Sequence, residues 1–343
     1  MLGLVNYAPE PMSVELRELP TPSIGPNDVL LHVKAVGVCG SDLHMFYGTP
    51  SWRVNYPVVL GHEFGGVIVE AGADVQHFRI GDRVVSETPA WLDTSTPFFR
   101  TGRYNIDPDR QGFGNMVDGA MAAYVRVPER CLHRVPDGVA FEHAALTEPC
   151  CVAYNATCLN STIRPGDNVA ILGPGPIGIL CAMFAQMAGA NPVVMIGTPG
   201  DAKRLAVAER YATHCLTGGP EEAKDLVRTL GDGYGCDLVI DAAGVSATLS
   251  LAIDLVRPGG QITKVGWGPQ PHNASLDPLV QKAITLQGSF SHNWPMWERI
   301  LAMLATGQID LGPILNLVAP LSDWRRAFDA MHSGSIVKAV LIP

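Results

Sequence analysis

The spacing of apolar positions along this chain changes near residue 141, and the change divides it. Before that point apolar and polar residues alternate in short runs. V-L-L-H-V-K-A-V-G-V-C from Val29, G-G-V-I-V-E-A-G-A from Gly65, R-I-G-D-R-V-V from Arg79 and M-A-A-Y-V-R-V-P from Met121 each predict a short strand. The Gly and Pro between them predict a compact, irregular barrel. Residues 86–118 interrupt this pattern with a long lobe. Its aromatics, Trp91, Phe98 and Tyr104 among them, predict an ordered insertion held by their packing.

From about Phe141 the spacing turns helical, and apolar runs then alternate with helical stretches. The runs are N-V-A-I-L from Asn168, P-V-V-M-I-G from Pro192, H-C-L at 214–216, C-D-L-V-I-D-A-A-G from Cys236, Q-I-T-K-V-G from Gln261 and I-T-L-Q-G-S-F from Ile284. Helices are expected up to Ala188 and near 201–212, 221–230 and 246–256. Buried strands alternating with helices predict a doubly wound parallel sheet, so the fold class is α/β. The tail predicts a helix near 295–306, another from Ser322 to about Ser333, and a last strand, I-V-K-A-V-L-I, returning to the first part. The expected division is residues 1–150, 151–291 and a returning 292–343.

Length and composition narrow the function classes. At 343 residues about two domains are expected. A net charge of −9 offers no basic footprint for nucleic acid. No run approaches the length of a membrane span, and Met1 to Glu18 reads as short strands rather than a signal peptide. The eight cysteines are scattered without a C-x-x-C pair, which points to reduced thiols and a cytoplasmic location.

Two stretches carry chemistry. Gly173, Gly175 and Gly178 form G-x-G-x-x-G, with Pro176 and Ile177 inside it, after a strand and before a helix. That context predicts a dinucleotide site, with the pyrophosphate on the helix N-terminus. The acidic residue expected at the end of the next strand is replaced by Gly197 and Thr198. Asp201 can serve a ribose 2′-OH, or it can cap the following helix. Thr198 with Lys203 or Arg204 can instead accept a 2′-phosphate. NAD and NADP both stay open, with a lean to NAD. The second stretch is V-C-G-S-D-L-H at 38–44 followed by G-H-E-F-G-G at 61–66. Cys39, His62 and Glu63 supply a thiol, an imidazole and a carboxylate, the ligand types of an open zinc site.

Taken in order, G-V-C-G-S-D-L-H, G-H-E-F-G-G, G-D-R-V, L-T-E-P at 146–149, G-P-G-P-I-G and V-I-D-A-A-G at 239–244 resemble the medium-chain zinc-dependent alcohol and polyol dehydrogenases. Glu148 marks the sorbitol and threonine dehydrogenase branch. The resemblance implies a GroES-like barrel followed by a Rossmann domain. It also implies one catalytic zinc held by Cys39 and His62, with Glu63 and Glu148 as third or alternate ligands. Asp42 is then expected to accept the second ring N–H of His62. The resemblance further implies that hydride passes from a polyol or other secondary alcohol to the nicotinamide and that the proton leaves through Ser41 and His44. The family also implies a homodimer or homotetramer, paired through the strand near 284–290. A zinc-free C=C reductase of this fold, or a non-catalytic dinucleotide-binding protein, are the competing readings.

The chain departs from the family in two places. Many relatives hold a second zinc with four lobe cysteines, and those positions are here Asp93, Thr96, Phe99 and Asp107. Where sorbitol dehydrogenases present Arg-Tyr to the polyol, this chain has Ser291-His292-Asn293-Trp294. Either His292 and Asn293 are expected to meet substrate hydroxyls, with Trp294 narrowing the pocket, or the segment is expected to cap a helix and form a subunit contact. Phe46, Tyr47 and Trp52 are expected to line the pocket or fill the barrel. Metal analysis of the purified chain should give one zinc per polypeptide; two would contradict the reading of the lobe.

Overall fold

A computed structural model describes residues 1–343. The chain forms two compact units. One comprises Met1–Glu148, His292–Ser333 and Lys338–Pro343; the other comprises Pro149–Ser291 and Gly334–Val337.

The first unit is built on a seven-stranded sheet. Its path runs Leu132–Arg134, Arg83–Ser86, Glu63–Ala71, Asp28–Gly37, Lys338–Ile342 and Leu315–Pro320, with Tyr124–Pro128 also paired to Asp28–Gly37. The expected return of the last strand is present: Val340 and Leu341 pair antiparallel with Gly37 and Val36. A three-stranded sheet of Val14–Glu18, Leu2–Asn6 and Val58–Val59 completes the barrel-like unit. Strand Asp28–Gly37 is buried along most of its length, with strand partners on both edges. Its last residue, Gly37, is paired with Glu63. A Cβ at Gly37 would lie 2.1 Å from Glu63 Oε2, so glycine is what lets that carboxylate lie across the strand end.

In the lobe, Phe99 packs on Tyr104 and Phe113 on Phe64, while polar cross-links take the place expected of Trp91. Trp91 is 47% exposed, and the cross-links are polar. Thr96 Oγ1 donates to Asp107 Oδ2 at 2.8 Å, and Tyr104 Oη donates to Glu87 Oε2 at 2.7 Å. Two of the four positions where relatives place zinc-binding cysteines are thus joined directly, with Asp107 buried. Thr96 also caps the short helix Pro97–Arg100 by accepting from Phe99 N–H.

The second unit holds six parallel strands in the spatial order His214–Leu216, Val193–Ile196, Val169–Leu172, Cys236–Asp241, Val256–Lys264 and Thr285–Gly288. In sequence terms the order is 3-2-1-4-5-6, that of dinucleotide-binding doubly wound sheets. The central strands are buried on both faces, which is why they read as unbroken apolar runs. The helix expected over 201–212 is shorter, Ala202–Ala208, preceded by a 3₁₀ turn at Pro199–Asp201. No helix is long and apolar enough to cross a membrane.

Candidate active site

In the first unit, helix Gly40–Phe46 carries the first ligand segment, with Cys39 at its N-cap. Asp42 Oδ2 accepts from Cys39 N–H at 2.8 Å, and the carboxylate also accepts from the Gly61 backbone. Asp42 therefore ties the two ligand segments together. This corrects the expected hydrogen bond to the His62 ring: Asp42 is spent on backbone and reaches His62 only through its field. Burial raises the Asp42 pKa against the pull of His62.

Cys39, His62 and Glu63 each bring a ligand atom to within 4.8 Å of the others. Burial opposes a charge on His62. Its hydrogen bond to Cys39 and the fields of Cys39, Asp42 and Glu148 nonetheless lift its pKa well above the ordinary imidazole value.

Sequence reasoning missed Lys338. It lies on the last strand, 2% exposed, with Nζ 2.6 Å from each oxygen of Glu63. The ammonium also donates to Val38 O at 2.7 Å. Burial opposes its charge, and Glu63 more than restores it, so the Lys338 pKa is raised. The well-directed bond goes to Oε1, leaving Glu63 Oε2 buried without a directed donor. A carboxylate beside a thiol and an imidazole fits a divalent cation with mixed S, N and O ligands.

Glu148, in the first turn of helix Thr147–Tyr154, lies outside that tight group but acts on His62, Glu63 and Lys338 through its field. Its Oε1 lies 3.0 Å from His292 Nε2. Burial pushes its carboxyl up, and the hydrogen bond and field of His292, with those of His62 and Lys338, bring it below its usual value. His292 is fully buried on Glu148, so it is not free to meet a substrate hydroxyl. Asn293 is the N-cap of helix Trp294–Ala305 and donates to Gly102 O at 2.7 Å, and Trp294 is 50% exposed. Phe46 is core, packed edge-on against Trp324 and Phe328.

Ser41 and His44 lie one turn apart on the same helix, hence on one face. Ser41 Oγ is buried without a partner. His44 is exposed, its Nδ1 3.0 Å from Thr49 Oγ1, and partial burial lowers its pKa.

In the second unit, Gly175 is the N-cap of helix Pro176–Met187, with Pro176 at the first helical position. A Cβ at Gly178 would lie 1.9 Å from Gly173 O, so the third glycine is required for the helix to approach the strand. Space over Gly175 is open, as a phosphate cradle needs. Ile177 is half-buried in the first turn. At the next strand end, Asp201 Oδ2 accepts from Thr198 N–H and Oγ1 at 2.9 and 2.7 Å. Arg204 Nε donates to Ile336 O at 3.0 Å, and its Nη1 lies 3.8 Å from Asp201 Oδ1. Asp241, in the V-I-D-A-A-G motif, is fully buried. It accepts from Ala243 N, Gly244 N, Thr248 Oγ1 and Lys264 Nζ, fixing the turn after the fourth strand.

Residues 25–137 match the alcohol dehydrogenase GroES-like domain, and residues 176–306 match the zinc-binding dehydrogenase family. The chain is 37% identical over 330 residues to a sorbitol dehydrogenase of Halalkalibacterium halodurans, covering 96% of this chain and 95% of the relative. It is 34% identical over 343 residues to a D-arabitol-phosphate dehydrogenase of Enterococcus avium, covering 99% and 97%. A Sinorhizobium meliloti 1021 protein solved with NADP bound superposes with a TM-score of 0.88 at 29% identity, covering 100% and 99%. Barrel unit, parallel sheet, ligand cluster and relatives agree: the chain belongs to the zinc-dependent medium-chain alcohol and polyol dehydrogenases.

Proposed function

We propose that this oxidoreductase acts on a polyol or sugar alcohol, or on the corresponding ketone, with one zinc held by Cys39, His62 and Glu63. The observation that carries the reading is the convergence of those three ligand atoms within 4.8 Å. Zinc bound there supplies the Lewis acidity that lowers the pKa of an alcohol, so that hydride can leave for the nicotinamide.

The chain's own residues do the rest. Lys338 neutralises Glu63, so one thiolate and the Glu148 carboxylate together balance a dication. Glu148 then serves as the group that holds water or substrate. Ser41 takes the alcohol proton, and its unpartnered Oγ supports that role. His44, one turn on and exposed, passes it to solvent.

Gly173, Gly175 and Gly178 would hold the dinucleotide, its pyrophosphate over the open space at Gly175. NAD is the favoured form, because the Asp201 carboxylate beside Thr198 opposes a 2′-phosphate; Arg204, already donating to Ile336 O, is the group that would favour NADP. The protein acts in the cytoplasm, in keeping with eight free cysteines. It assembles as a homodimer or homotetramer through the edge strand Thr285–Gly288, where Leu286 is 41% exposed.

Dialysis against a strong chelator should abolish polyol oxidation, and zinc should restore it. On the same sample kcat/KM should be higher with NAD than with NADP, and sedimentation should show an oligomer. Polyol oxidation that survives chelation would contradict the zinc reading. Ser41→Ala should retain zinc while losing about 100-fold or more in kcat, the range for a lost proton-transfer group; an unchanged kcat would remove Ser41 from the relay.

A further inference from the structure

Behind Glu148 the first unit builds a chain of buried polar rings that the established chemistry does not require. His292 and Trp297 are both 0% exposed. Trp297 Nε1 lies 2.9 Å from His292 Nδ1, and His292 Nε2 lies 3.0 Å from Glu148 Oε1. An indole N–H can only donate. His292 Nδ1 must therefore present a lone pair to it, which places the ring proton on Nε2, aimed at the carboxylate.

Trp297 is itself held from the far side. Its ring stacks on His133 at a centroid distance of 5.4 Å and an interplanar angle of 10°. His133 is in turn fixed between Glu87 Oε1 at 3.3 Å and Glu298 Oε1 at 2.6 Å. Tyr104 closes the network, donating to Glu87 and accepting from Trp294 N–H at 2.5 Å. The helix Trp294–Ala305 thus sets Trp297, and Trp297 sets His292.

We propose that His292 is a positioning residue. Locked by Trp297 with its proton on Nε2, it fixes the Glu148 carboxylate through Oε1 and leaves Oε2 as the oxygen offered to water or substrate. A carboxylate with both oxygens free would rotate and would compete with the other ligands for the metal. One held by a fixed donor presents a single oxygen in a single direction. The proposal rests on Glu148 serving the metal site.

The direct test is nitrogen NMR of the full chain labelled with ¹⁵N-histidine, metal-free and zinc-loaded, with His292 assigned by its loss in His292→Gln. The expected spectrum shows Nδ1 bare and Nε2 protonated in both states. The opposite tautomer, or an averaged one, overturns the proposal. Trp297→Phe should release the ring into a mixture of tautomers. It should lower kcat by about 10–100-fold, the usual effect of losing a partner behind a ligand, with KM for the nicotinamide cofactor unchanged. His292→Gln, which keeps a donor, should retain most of the kcat that His292→Leu loses. Equal losses in Gln and Leu variants would make His292 a packing residue and contradict the proposal. The tautomer measurement needs no metal and no turnover. Activity that survives chelation would therefore defeat the zinc reading without altering the NMR result.

Discussion

The ion pair between Glu63 and Lys338 is the constraint on which the site depends. It joins a predicted metal ligand to a residue 275 positions later, on the last strand of the chain. Both groups are nearly inaccessible, and an isolated charge in either place would cost several kcal/mol. The pair therefore requires the C-terminal strand to be in register beside Gly37 before the ligand strand is satisfied. Gly37 and the backbone bonds of Asp42 make the same demand from the other side: Cys39, Gly61 and Glu63 are fixed relative to one another without any metal-dependent contact.

Around that constraint the site sorts its carboxylates by environment. Glu63 faces an ammonium, Asp42 faces backbone N–H groups, and Glu148 faces an imidazole. Three acidic side chains in one pocket would repel one another and leave the site strongly anionic. Distributing them among three different partners keeps each one's role separate. Asp42 holds the chain through backbone N–H groups, and Glu63 and Glu148 are the two carboxylates left for the roles proposed at the metal.

Much of this was legible in the sequence, and the limits are physical. Apolar runs such as V-A-I-L and V-V-M-I mark central strands because both their faces are covered, and G-P-G-P-I-G marks its turn because no side chain fits at Gly178. Cys39, His62 and Glu63 could be picked out because ligand chemistry depends on residue type. Lys338 could not, since a lysine in a terminal strand looks like any surface charge until the strand is known to lie in the core; its place as the one charge in the apolar run I-V-K-A-V-L-I was the available signal. The role of His292 stayed open between substrate contact and helix capping, because its partners, Glu148 and Trp297, are chosen by the tertiary fold. The lobe was legible only in part for a related reason. Aromatic content suggested packing, but the cross-links that form are Thr96 to Asp107 and Tyr104 to Glu87.

Removing the ammonium tests the central claim most directly. Lys338→Met should lower the unfolding free energy of the metal-free chain by about 3–5 kcal/mol, the usual consequence of leaving a buried charge unpaired. Adding Glu63→Gln to that variant should recover a large part of the loss, since no bare charge then remains. Unchanged stability in Lys338→Met, or simple additivity of the two substitutions, would contradict the account.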